Sequence, residues 1–191
     1  MKTILILEPP FSSLSLEFEE MAAKAKYTYF SLSDALLAEL GGDSEISKKM
    51  EDLKQNQDTN ISDLAVDLIL KKYLQKPTKN NPNGFILDSD CFNSLEELKQ
   101  VKETLNSFGY QIDTVVDVKL TPEECAEDIE DFQVERSEGL AEIADYFENL
   151  YPQSLEFLKS SEIEIIEISD DEDEKLLFAK FAQILKQEKP I

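Results

Sequence analysis

The chain has 191 residues, 41% of them hydrophobic, enough for one well-buried core and for a single domain over 1–191. Its 41 acidic residues against 19 basic ones give a formal net charge of −22, a sign that repels nucleic acid and anionic lipid unless a local basic patch exists, and the lysines are scattered along helical faces. There is no histidine, so zinc centres and His-based triads are excluded and no metal or cofactor is expected.

An acidic surface most often does no more than stay solvated, with a basic protein partner as the other option. No apolar run approaches the roughly 20 residues of a membrane span. Residues 1–7 pass directly into a strand pattern without a secretory or transit leader, so a cytoplasmic protein is expected. The two cysteines, Cys91 and Cys125, lie in separate segments and read as reduced structural residues.

In chain order, strands are expected at Lys2 to Leu7, Tyr27 to Phe30, Gly84 to Asp88, Thr114 to Leu120 and Glu162 to Ile168. Helical periodicity runs over 15–25, 33–40, 44–56, 61–74 and 94–108, the last stopping at Gly109, a natural residue just past a helix end. The stretch 75–83 reads as a polar loop. Strands alternating with helices imply an α/β fold, a five-stranded mostly parallel sheet with helices on both faces. The last strand, "EIEIIEI", alternates and should lie at an edge with one face wet. Ser169 is then expected to cap a final helix whose first turns hold acids 170–174. That run lacks the glycine and spaced ligands of a calcium loop.

Five pieces of the chain, in this order and spacing, resemble the adenylate kinase family in its short-lid form. They are "YTYFSLSDAL", "SEISKKMEDL", "ISDLAVDLILKKYL", "NGFILD" and "VVDVKLTPEE". The resemblance implies a P-loop nucleoside monophosphate kinase fold, an AMP-site-like region at 31–75 and a vestigial lid at 126–140. The family's functional residues do not carry over. Its glycine-rich loop falls on Glu8 to Leu16, where Glu8, Phe11, Ser13 and Ser15 replace glycines, Leu14 replaces the phosphate-binding lysine and Leu16 the neighbouring hydroxyl residue. In the AMP site Leu32, Ser33 and Leu37 replace threonine, glycine and arginine, while Ser31 and Asp34 remain. After the third strand Phe92 stands for a phosphate-gripping arginine. Residues 126–140 hold six acids and Arg136, the only arginine in the chain.

Phosphoryl transfer rests on positioning and charge neutralisation, and loss of one such cation costs on the order of 10³-fold in rate. With nearly all replaced, the expectation is a catalytically inactive adenylate-kinase-like domain with no catalytic, cofactor or metal residues, serving as a structural or protein-interaction subunit. The family association makes a ciliary axoneme one address. In this reading Pro9 and Pro10 stiffen the loop, Ser12 or Ser13 caps the next helix, and Phe11, Leu14 and Leu16 fill the phosphate space. The alternative is a divergent nucleoside monophosphate kinase or adenine-nucleotide sensor, using Lys24, Lys26 or Arg136 as substitute cations or binding a nucleoside beside Ser31 and Asp34. Candidate partner surfaces are Glu17 to Glu20, Glu123 to Asp131 and the edge strand at 162–168.

Overall fold

In the computed structural model the described residues are 1–12, 14–31, 34–35, 38, 48, 61–75, 83–88, 92–132, 134–169 and 174–186, and the statements below concern these. The elements are β1 (Lys2–Leu7), α1 (Ser15–Lys24), β2 (Tyr27–Phe30), α2 (Ile61–Gln75), β3 (Gly84–Leu87), α3 (Leu95–Ser107), β4 (Thr114–Lys119) and α4 (Pro122–Asp128). A 3-10 turn (Ile129–Phe132), α5 (Arg136–Asp145), a π-helical segment (Tyr146–Leu150), α6 (Tyr151–Ser160), β5 (Glu164–Ser169) and α7 (Glu174–Lys186) complete the chain.

The strands form one sheet in the order β2-β3-β1-β4-β5, and every pairing among the described residues is parallel. This is the α/β architecture that the alternation of strands and helices implies. β1 sits at the centre, and all six residues of "KTILIL" are buried, as a strand covered on both faces requires. β5 sits at an edge, where Glu164 and Glu167 are exposed and Ile168 is buried.

Alternation along the strands divides the core in two. Leu5, Leu7, Phe85, Leu87 and Val115 face α2, α3 and α6 through Ile69, Leu70, Leu98, Val101, Leu105 and Leu158. Ile4, Ile6, Ile86, Val116 and Ile168 face α1 and α7 through Phe18, Phe181 and Ile184, with the Phe18 and Phe181 rings 4.8 Å apart. The second layer is tied down at the amino-terminal edge of the sheet. There the Lys2 ammonium donates to the Ile184 carbonyl at 3.1 Å and the Tyr27 hydroxyl to the Leu185 carbonyl at 3.2 Å. These bonds satisfy carbonyls in the last turn of α7 that have no partner within the helix.

Several boundaries differ from the sequence expectation. β3 ends at Leu87 and β4 at Lys119, and Glu162, at φ 56, belongs to the turn before β5. Ser169 is the last residue of β5, and the described part of α7 runs from Glu174. The acids at 170–173, the patterns at 44–47 and 49–56, most of 33–40 and most of the loop at 75–83 lie outside the described residues, as does Cys91. The helical run from Arg136 to Ser160 was not expected, and residues 126–140 belong to α4, the 3-10 turn and the start of α5. No described helix is long and apolar enough to cross a membrane.

Two glycines at positive φ separate strain from crowding. A Cβ on Gly84 (φ 156) would stand 1.8 Å from the Lys2 carbonyl oxygen across the β1–β3 ladder, whereas one on Gly109 (φ 79) would meet nothing within 4 Å. Gly109→Ala is expected to cost about 1 kcal/mol of backbone strain. Gly84→Ala must in addition push β1 and β3 apart and should cost at least about twice as much. Urea denaturation of both variants checks this; equal losses would mean that β1 and β3 are not in this register.

Candidate functional site

The strand order places a switch point beside β1. The chain leaves β1 toward β2 on one side and leaves β4 toward β5 on the other, so a crevice for ligands in such a sheet lies at the carboxyl ends of these central strands. The loop after β1 and the segments after β3 and β4 meet this edge.

In the loop, Pro10 and Phe11 form a turn, with Phe11 at φ 63. Left-handed backbone is unusual for an aromatic residue and costs roughly 1–2 kcal/mol. Burial compensates for it. Phe11 packs with Cys125, Ile129 and Ile143, and its ring meets Phe132 edge-on at 5.5 Å. Leu14 is also buried, but among Ile4, Ile6 and Phe18 under α1. The two apolar side chains therefore enter different clusters and do not fill one common space.

The start of α1 also departs from expectation. Leu14 is the N-cap residue, already in the helical region, and makes no side-chain capping bond. The Ser12 hydroxyl accepts from the Leu14 N–H at 3.4 Å. It closes a turn one step before the helix, because it lies two residues ahead of the cap position. Ser13 lies outside the described residues, and the side chain of Leu16 does too.

Of the remaining positions, Leu32, Ser33 and Leu37 lie outside the described residues. The Ser31 hydroxyl accepts from the Asp34 N–H at 3.2 Å, within the chain's entry to a helical turn. Phe92 is buried in the core layer with Phe30, Leu87 and Leu98. The proposed substitute cations are dispersed. Lys24 and Lys26 precede β2 and so lie at the amino-terminal edge, a strand length of about 15 Å from the carboxyl ends. Lys24 pairs with Glu20 at 3.1 Å, and Arg136 pairs with Glu130 at 3.8 Å.

What the carboxyl edge gathers instead is carboxylates. Glu8 follows β1, Asp88 follows β3 and Asp117 sits in β4, with 7%, 4% and 0% of their surface exposed. The Tyr29 hydroxyl donates to Asp88. Asp117 receives Lys119 Nζ at 2.6 Å and the Tyr151 hydroxyl at 3.0 Å on one oxygen, and Lys119 also donates to Tyr151 and pairs with Glu167 at 3.5 Å. The other Asp117 oxygen and the Tyr146 hydroxyl are buried without a hydrogen-bond partner among the described residues. The π-helical segment delivers Tyr146 and the start of α6 delivers Tyr151, and π-helical turns recur at functional sites. Burial would lower the Lys119 pKa, but its bonds to Asp117 and Tyr151 outweigh that and raise it. Burial, then the Asp117 charge, drives the Tyr146 hydroxyl far above its ordinary range.

The sequence signal for this network was an acid inside an apolar strand. In "TVVDVK" period-2 alternation puts Val115, Asp117 and Lys119 on one face. No described group of three or more acidic or cysteine side chains is arranged to hold a metal ion. No protein-family model and no curated protein matches the chain.

The apolar cluster around Phe11 has an alkaline signature. Burial pushes the Cys125 thiol up to about 11, against about 8.5 for an exposed thiol, so the folded chain keeps a proton that the unfolded chain releases. Its stabilising contribution is complete below the lower value and is lost as pH rises toward the upper one. In a Cys91→Ala background, urea denaturation at about pH 7.5 and about pH 10 should show a fall in stability that Cys125→Ala reduces. Rapid labelling of Cys125 by a thiol reagent in the native state would contradict its burial.

Proposed function

We propose that this chain is a catalytically inactive, adenylate-kinase-like domain that serves as a structural or protein-interaction subunit of a larger assembly. The observation that carries the reading is the set of three buried carboxylates, Glu8, Asp88 and Asp117, at the ends of β1, β3 and β4. Phosphoryl transfer needs cations converging on that edge. Lys119, which β4 brings there, is held by Asp117, Glu167 and Tyr151. A polyphosphate brought to that edge would stand beside these carboxylates in a poorly hydrated setting, where unlike water the medium screens little.

The loop supports the same reading. Phe11 keeps left-handed backbone at a position where the resembled family has glycine, while its ring occupies the apolar cluster of Cys125, Ile129 and Ile143. A glycine there would leave the loop free to turn its N–H groups toward an anion; Phe11 ties it to α4 and α5. The cations invoked for a divergent kinase do not converge, since Lys24 and Lys26 precede β2 at the opposite edge of the sheet. On the strength of the resemblance the reading extends to a ciliary axoneme as one address.

Calorimetric titration with ATP and magnesium, with AMP and with a linked bisubstrate analogue, followed by an assay for ADP, tests the reading. No saturable heat and no ADP above the protein-free rate are expected. Submillimolar binding of the bisubstrate compound, or turnover abolished by Lys119→Met or Arg136→Met, would overturn it.

A further inference from the structure

Tyr146 opens the π-helical segment and Tyr151 follows it, and the Tyr151 N–H donates to the Tyr146 carbonyl. A π turn brings residues five apart one above the other, as an α-helix does for residues four apart. The two rings accordingly lie 5.7 Å apart, tilted by only 32°. An α-helical turn in its place would swing Tyr146 to another side of the helix. The π segment therefore sets both phenols on the side of Asp117 in β4.

Only one of the phenols is bonded there. The Tyr151 hydroxyl donates to Asp117 Oδ2 at 3.0 Å, beside Lys119 Nζ at 2.6 Å. Asp117 Oδ1 and the Tyr146 hydroxyl are buried with no hydrogen-bond partner among the described residues, in side chains that are 0% and 7% exposed. Among neighbouring groups the Asp117 charge acts most strongly on that hydroxyl, ahead of Tyr151 and Glu8, so the two oxygens border the same spot. A direct bond would satisfy both, and the fold does not make it. Two buried polar groups left so are costly unless a third group stands between them.

We infer that the carboxyl end of β4 holds a binding site for one internal water, hydrogen-bonded to Asp117 Oδ1 and to the Tyr146 hydroxyl. Hydrogen-bond chemistry selects the occupant. A carboxylate oxygen only accepts, and the Tyr146 hydroxyl, which burial keeps protonated at neutral pH, needs an acceptor. Water donates to the first and accepts from the second. An ammonium ion has no acceptor, a metal cation would leave the hydroxyl proton unplaced, and an anion would face the Asp117 charge. The water completes a chain from Tyr146 through Asp117 to Lys119, which pairs with exposed Glu167 at 3.5 Å. It thereby ties β4 to the turn between α5 and α6, and a polar network satisfied throughout is a rigid one.

Tyr146→Phe keeps the ring and removes the hydroxyl, so the sign of its effect tests the site. Breaking the bridge should lower the folding equilibrium constant about tenfold in urea denaturation. A hydroxyl with no partner would make the variant as stable as wild type or more stable, and either result would overturn the proposal. Relaxation dispersion of isotope-enriched water counts long-lived internal waters, and the variant should hold one fewer than wild type; an equal number would contradict the site. In a crystal structure of the wild type, a water oxygen is expected within about 2.8 Å of both atoms. Finding the two atoms bonded to each other or to another side chain would overturn it without recourse to a variant. Replacing sodium and potassium by a bulky organic cation at equal ionic strength should leave wild-type stability unchanged. A loss that Tyr146→Phe does not share would put a metal cation in the site and overturn the assignment to water.

Discussion

The left-handed backbone at Phe11 exists only because its ring is held by Cys125, Ile129 and Ile143, and much of the carboxyl edge follows from that exchange. Strain of this kind persists where its surroundings over-determine it. The ring fixes the turn after β1, draws α4 and α5 across the strand ends and supports Phe132 from below. The same side chain therefore shapes the loop, holds the helices over it and shapes an outer surface. A residue without a side chain would uncouple all three.

Electrostatics points the same way. A central parallel sheet concentrates whatever it binds at the carboxyl ends of its strands, and here those ends carry Glu8, Asp88 and Asp117. Asp117 is tolerated at full burial because Lys119 and Tyr151 converge on one of its oxygens. A buried pair of this sort is weak evidence of added stability, but removing one partner is costly because it strands the other charge. The network thus acts as a fixed feature of the edge, and the lysine within it is taken up by the protein's own carboxylates.

The sheet was legible because its strands are short apolar runs bounded by polar turns, and alternation with helical stripes left parallel pairing as the consistent arrangement. Strand ends were less so: Glu162 looks like part of "EIEIIEI", yet its backbone turns to φ 56. The helical run from Arg136 to Ser160 was missed for a physical reason. The π-helical segment at Tyr146–Leu150 shifts the stripe out of its 3.6-residue period, and Pro152 reads as a breaker although the backbone on both sides of it is helical. At the candidate site, the burial of Phe92 and Leu14 follows from apolar character alone. The sign of φ at Phe11 and the separation of Phe11 from Leu14 into different clusters depend on tertiary packing that no local pattern encodes.

The central claim is that the loop after β1 is a packed turn that receives no anion. Titrating isotope-labelled protein with inorganic pyrophosphate, and following the backbone amide resonances from Phe11 to Ser15, tests it most directly. The account predicts that these resonances stay in place through millimolar pyrophosphate, apart from the small uniform drift that ionic strength produces across the whole chain. Saturable shifts centred on those amides would contradict it and would show that the loop still binds a phosphate chain.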